Sequence, residues 1–206
     1  MSSGHGHAAH AHRDDLGDKL GMWLFLVTEI VLFGGLFIAY SYMRSLYPAD
    51  FHHGGAELNA TLGVINTVVL LTSSLTMVLS LAALQLGDLV KAKAFLLGTI
   101  LLGGCFLVIK SFEWGAKFQH HLYPGSAHMA TLPHGQQVFF GLYFTMTGLH
   151  GVHVLVGMSV LGWMYTHLAK GKINQDRFVV LENGGLYWHL VDVIWIFLLP
   201  LFYLAA

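Results

Sequence analysis

Charge is scarce in this sequence. Charged side chains make up 10% of its 206 residues, against roughly 25% in ordinary soluble domains, while 55% are hydrophobic and the mean hydropathy is +0.63. A chain so composed belongs in lipid rather than in water. Acidic and basic residues nearly cancel, leaving a formal net charge of −1, so no basic surface offers itself to a nucleic acid. Cysteine is almost absent: the single Cys105 lies in an apolar run and has no partner for an intrachain disulfide. The opening MSSGHGHAAHAHRDDLGD has neither an apolar core nor a small-residue cleavage site after one. No removable signal peptide is expected, and the first membrane helix must carry the targeting itself.

What is present is long apolar stretches. Crossing the hydrocarbon takes about 20 mostly apolar residues in a helix that satisfies its own backbone. Five stretches qualify, at about 20–44, 62–86, 94–114, 137–167 and 185–204, preceded by a polar, His-rich segment at 1–18. The expected fold is therefore an all-α integral membrane bundle of five transmembrane helices, the fourth long enough to tilt. Arg13, Lys19, Lys91, Lys93, Lys170, Lys172 and Arg177 fall on one side of such a bundle, and only Arg44 and Lys117 on the other. Basic residues are retained in the cytoplasm, which places the N-terminus there and the C-terminus on the outer, periplasmic face. No soluble domain, internal repeat or long linker interrupts the pattern.

Glu29, Lys110, Glu113, His150, His153, His189 and Asp192 fall inside these spans. Each would cost about 2.5–3.5 kcal/mol if a charge faced lipid at a helix centre, so each is expected to face the bundle interior, a partner or a water-lined cavity. Lys110 and Glu113 stand at i,i+3, where they can pair or snorkel outward, and read as a structural pair. Glu29 has no basic residue one turn away and needs a partner from another helix; it reads equally as a proton-handling or lipid-headgroup site and as a helix-to-helix hydrogen bond. His189 and Asp192, also at i,i+3, can satisfy each other, with Trp188 and Trp195 on the adjoining stripe.

The stretch TGLHGVHVLVG carries His150 and His153 on one helix face with Gly157, beside Gly148 and Gly151, where a neighbouring helix can approach closely. Metal binding needs three or four convergent ligands, and the Glu-x-x-His pattern of di-metal bundles occurs nowhere in the chain. His153 and His167 are spaced like the axial ligands of membrane b-type haems, yet the last helix supplies only His189 as a counterpart, so the haem arrangement is incomplete. The four histidines of HGHAAHAH suit a solvated segment. No metal site and no catalytic residue is expected in this chain.

GMWLFLVTEIVLFGGLFIAY, INTVVLLTSS, FFGLYFTMTGLHGVHVLVG and GLYWHLVDVIWIFLLPLFYL, in this order and spacing, resemble subunit III of the haem-copper respiratory oxidases. The resemblance covers about residues 20–204, and its most specific pieces are TGLHGVHVLVG and YWHLVDVIW. In length and in its five spans the chain resembles the short bacterial form, which lacks two N-terminal helices of the longer members; a His-rich N-terminal tail also occurs in short members of quinol oxidases.

The resemblance implies a cofactor-free, non-catalytic accessory subunit of a proton-pumping terminal oxidase in the bacterial plasma membrane. Haem and copper would reside in the catalytic partner, subunit I, which reduces oxygen to water. The subunit would stabilise that partner, bind phospholipid in a cleft and support proton uptake. Glu29 falls on the family's intramembrane carboxylate, His150 and His153 on its paired histidines, Glu113 on the Phe-Glu of FEW, and His189 and Asp192 on its Trp-His-x-x-Asp. Lys170 and Lys172 are candidate lipid-headgroup contacts. Because the two-helix wall of the long members' cleft is missing, another subunit would have to complete it, or lipid binding would weaken. A related subunit of a nitric oxide reductase, or a haem b electron carrier using His153 and His167, are the alternatives.

Overall fold

The computed structural model describes residues 5–175 and 178–204, with side chains from Leu16 onward. It is helical throughout, in the order α1 (His5–Leu46), α2 (Pro48–Ala56), α3 (Ala60–Gln85), α4 (Leu89–Gln119), a single 3-10 turn (Met129–Thr131), α5 (His134–Ala169) and α6 (Val179–Leu199), the last continued by a π turn, Pro200–Leu204. Five segments are long and apolar enough to cross a membrane: Leu16–Leu46, Ala60–Gln85, Leu89–Gln119, His134–Ala169 and Val179–Leu204. The backbone from His5 runs on into α1, whereas residues 1–4, the histidine and Arg13 side chains of the polar segment, and Arg177 lie outside the described residues.

Short, geometrically demanding connections make neighbours antiparallel. Asn59 caps α3 by accepting the Leu62 N–H at 3.2 Å, and Asp88 caps α4 by accepting that of Lys91 at 3.0 Å. Between α3 and α4 the chain reverses through Gly87, whose φ of +83° suits a residue without Cβ. The hydrogen bond of Asp88 to Lys91 holds its carboxyl below the usual range. Between α1 and α3, Pro48 starts α2, a helix where the sequence suggests only a loop; its fixed φ and missing N–H cost nothing at the first helical position.

Along α3 the buried positions Gly63, Asn66, Leu70, Ser73, Met77, Ser80 and Leu84 alternate in steps of three and four, with Ala83 buried beside the last. The same alternation runs along α4 from Ala92 to Lys117 and along α5 from Phe140 to Leu168. A 3.5-residue repeat is the signature of a left-handed coiled seam. Its content is that of a membrane bundle: small and polar residues point inward while Leu24, Ile38, Leu101 and Val152 face out. Ser80 donates to the Ala92 carbonyl at 2.8 Å, and Thr76 and Thr99 hydroxyls meet at 2.8 Å, binding α3 to α4.

Helix α6 is the hub. Trp188 donates to Ser73 Oγ at 3.1 Å and Trp195 to Thr67 Oγ1 at 3.0 Å, so both indole N–H groups are satisfied by α3. Trp188 fits only because Gly103 of α4 and Gly157 of α5 flank it: a Cβ on either would lie 2.7 Å and 2.9 Å from the indole. Helix α1 is peripheral, touching the bundle through a heptad stripe of Leu26, Phe33 and Tyr40. Pro200 cannot donate to the preceding turn, and the wider π turn that results drives Phe202 and Tyr203 inward. Tyr40 donates to the Leu201 carbonyl within that turn.

Gly157→Ala is expected to lower stability by about 1–3 kcal/mol, the usual cost of overpacking a filled core. Thermal inactivation of the purified complex measures this, and Trp188→Phe added to Gly157→Ala should recover part of the loss.

Candidate functional site

The carboxyl that the sequence leaves without a partner finds one across a helix interface. Glu29 of α1 lies 2.8 Å from His153 of α5, Oε2 to Nε2, with both side chains about one-seventh exposed at 14% and 15%. The other ring nitrogen, Nδ1, lies 2.8 Å from the Leu149 carbonyl. A carbonyl only accepts, so Nδ1 carries a hydrogen, and a single proton lies between Nε2 and the Glu29 carboxyl. Phe33 packs edge-on against the imidazole at 5.2 Å, and Tyr187 donates to the His153 carbonyl at 3.2 Å. With both nitrogens engaged, His153 has none free as an axial ligand.

His150 faces elsewhere. It is fully buried between Phe106 of α4 and Trp195 of α6, at ring distances of 5.5 and 5.3 Å. The two histidines of TGLHGVH therefore serve different interfaces: three residues of helix turn one toward α1 and the other into the centre.

Toward the end where α4 finishes, Lys110 and Glu113 do pair, and they do not snorkel. Lys110 is enclosed and donates to Glu113 Oε2 at 3.0 Å, to Tyr143 at 3.1 Å and to Tyr203 at 2.6 Å. All three ammonium hydrogens are thereby used. Glu113 Oε1 accepts from Tyr143 at 2.8 Å and from the Tyr203 hydroxyl. The rings of Tyr143, Trp195 and Tyr203 stand 4.9, 5.0 and 5.2 Å from the ammonium, adding cation–π attraction. Tyr143 and Tyr203 are the members that sequence reading passes over. Their only signal is a hydroxyl on an otherwise apolar face, which requires a partner once buried.

His189 and Asp192 do not form the self-contained pair that their spacing allows. His189 Nδ1 meets Ser74 Oγ of α3 at 2.6 Å, and no ion pair joins it to Asp192, whose enclosed carboxyl oxygens make no hydrogen bond among the described residues. Ser74, in contact range of Asp192 as well, competes successfully because α3 and α6 pack face to face. Lys170 and Lys172 are exposed where α5 ends, at the negative pole of the helix dipole, which favours a positive charge. Among the described residues no three His, Cys, Asp or Glu side chains converge as a metal site.

An apolar groove of about 250 Å³ runs between α1, α5 and α6, lined by Met22, Phe25, Val156, Val160, Gly184 and Tyr187. The Lys19–Glu182 ion pair at 3.0 Å also joins α1 to α6.

Lys110→Met is expected to cost about 3–5 kcal/mol, because it strands a buried carboxylate. Lys110→Met combined with Glu113→Leu should cost less than Lys110→Met alone, and thermal unfolding of the detergent-purified complexes would show whether it does.

Residues 1–206 match the family model described as cytochrome c oxidase subunit III. Cytochrome c oxidase subunit 3 of Thermostichus vulcanus is 30% identical over 200 residues, covering 96% of this chain and 92% of that protein. Its counterpart from Bacillus subtilis is 32% identical over 187 residues, covering 91% and 86%. A heme-copper oxidase subunit I+III of Aeropyrum pernix is 26% identical over 196 residues, covering 91% of this chain and 23% of the much longer relative. With an interior built for a membrane and a family match over its whole length, the chain belongs to the cytochrome c oxidase subunit III family, as subunit III of a haem-copper oxidase.

Proposed function

We propose that this chain is the cofactor-free accessory subunit of a proton-pumping terminal oxidase in a bacterial plasma membrane. It stabilises the catalytic subunit, retains phospholipid and supports proton uptake. The observation that carries the reading is the Glu29–His153 pair: a carboxyl and an imidazole sharing one proton at a partly exposed helix interface within the span. Such a pair can hold or release a proton with little rearrangement, because His153 is already oriented by Leu149.

Residues 19–206 act as one membrane domain behind a polar segment, 1–18, on the cytoplasmic side, and the C-terminus faces the periplasm. Basic residues on the N-terminal side support this orientation, and there Lys170 and Lys172 meet lipid phosphate. The groove between α1, α5 and α6 has the apolar lining an acyl chain requires. Subunit I is the partner, where haem and copper reside. The relative in which subunits I and III are one chain supports side-by-side packing of the two. His150, His189, Asp192 and Glu113 hold the helices that position Glu29 and His153.

Glu29→Ala is expected to speed the loss of oxidase activity during turnover while leaving the haem spectrum of the complex intact. His153→Ala should match it, and the double variant should be no worse than either, since residues acting as a unit are not additive. Unchanged inactivation kinetics in both single variants would reduce the pair to a packing contact.

A further inference from the structure

The polar groups left over after these contacts are concentrated around Trp195. Asn66, His150 and Asp192 come from three helices, α3, α5 and α6, and are 0%, 0% and 3% exposed. Both polar side-chain atoms of each are enclosed and make no hydrogen bond among the described residues. His150 lies against the Trp195 indole at 5.3 Å. Asn66 is reached through the helix register. Ser73 accepts from Trp188, and α3 and α6 run antiparallel. One heptad from Ser73 along α3 is Asn66, and one heptad from Trp188 along α6 is Trp195, so Asn66 belongs to the Trp195 layer. Thr67, next to Asn66, confirms that register by accepting the Trp195 N–H. Asp192 stands one turn before Trp195 on α6, with Ser74 beside it.

In a bundle surrounded by hydrocarbon, bulk solvent does not compensate such groups. Leaving six enclosed polar atoms bare would forfeit free energy on the scale of a domain's whole stability. The donor and acceptor inventory selects the ligand. Asn66 needs both a donor and an acceptor, neutral His150 likewise needs both, and the carboxyl oxygens of Asp192 need partners too. A metal cation would suit Asp192 but not the Asn66 amide hydrogens or the His150 N–H. An anion would offer no donor to the Asp192 carboxyl oxygens or to the acceptor atoms of Asn66 and His150. Water donates and accepts and is small enough to enter a helix interior.

We propose that ordered water molecules bind inside the bundle beside Trp195, bridging Asn66, His150 and Asp192. The site is bounded on one side by Lys110, whose three hydrogens are already committed, and on the other by the Ser74–His189 pair. It ties α5 to α3 and α6 at a level where the direct side-chain bond, Trp195 to Thr67, joins only α6 to α3.

Radiolytic hydroxyl-radical footprinting of the intact oxidase complex, read by mass spectrometry, tests this, because radicals formed from bound water oxidise the side chains next to it. Trp195 and His150 should be oxidised faster than Met77 and Met164, which are equally enclosed and carry the intrinsically more reactive sulfur. Asn66→Leu should lower Trp195 oxidation several-fold in complexes of normal haem content. Trp195 oxidation no faster than that of the two methionines would overturn the proposal in the natural sequence alone, whether or not Asn66→Leu assembles. Oxidation that Asn66→Leu leaves unchanged would overturn it equally.

Discussion

A buried ammonium in a membrane bundle must place every one of its hydrogens on the protein, and Lys110 does so. One bond goes to Glu113 on its own helix, one to Tyr143 on α5, and one to Tyr203 in the π turn after α6. This single group therefore locks three chain segments that are remote in sequence. Its geometry depends on Pro200, since only the wider turn brings Tyr203 inward, and on the Trp195 indole that closes over the charge. Desolvating a charge is costly enough that a partly satisfied arrangement would be worse than an apolar one. The cluster thus constrains how α4, α5 and α6 can pack, and with them the layer of Trp188 and Trp195.

From that layer the remaining architecture follows. Without a hydrophobic drive between helices in lipid, association relies on close packing and hydrogen bonds. Gly103 and Gly157 admit the large Trp188 ring, while Ser73 and Thr67 satisfy the two indoles. The four later spans form a tight unit by this means. Helix α1 joins it through a thin stripe and few polar ties, among them Lys19–Glu182, Asn183 to the Asp18 carbonyl, Glu29–His153 and Tyr40 to Leu201. A carboxyl–imidazole pair at such a lightly held interface can exchange with lipid or a partner subunit in a way that the enclosed Lys110 cluster cannot.

Much of this was legible beforehand. Length and hydropathy are sufficient for the five spans, because satisfying a backbone in hydrocarbon permits few alternatives. The cost of intramembrane polar residues was sufficient to single out Glu29, Glu113, His150, His153, His189 and Asp192, and to demand for Glu29 a partner from another helix. Local spacing was a poorer guide to who pairs with whom. Lys110 and Glu113 pair at i,i+3 as written, but His189 at the same spacing turns to Ser74 instead of Asp192. His150 and His153 part company because the buried seam of α5 steps from His150 to Val154, leaving His153 to meet α1. Helix α2 escaped notice since nine residues with two histidines and two glycines carry no periodic signal.

The sequence by itself determined the solvent, the number of crossings, the family, and which residues could not be left facing lipid, because each of these depends on transfer free energies that individual side chains carry with them. The tertiary structure alone decided the partners: His153 for Glu29, two tyrosines for Lys110, Ser74 for His189. Across the bundle the inner stripes mix glycine, serine, tryptophan and charge with large apolar side chains, and the outer stripes are as apolar as lipid. Hydrophobic periodicity therefore could not mark the interior, and only the packed register brought those side chains within bonding distance.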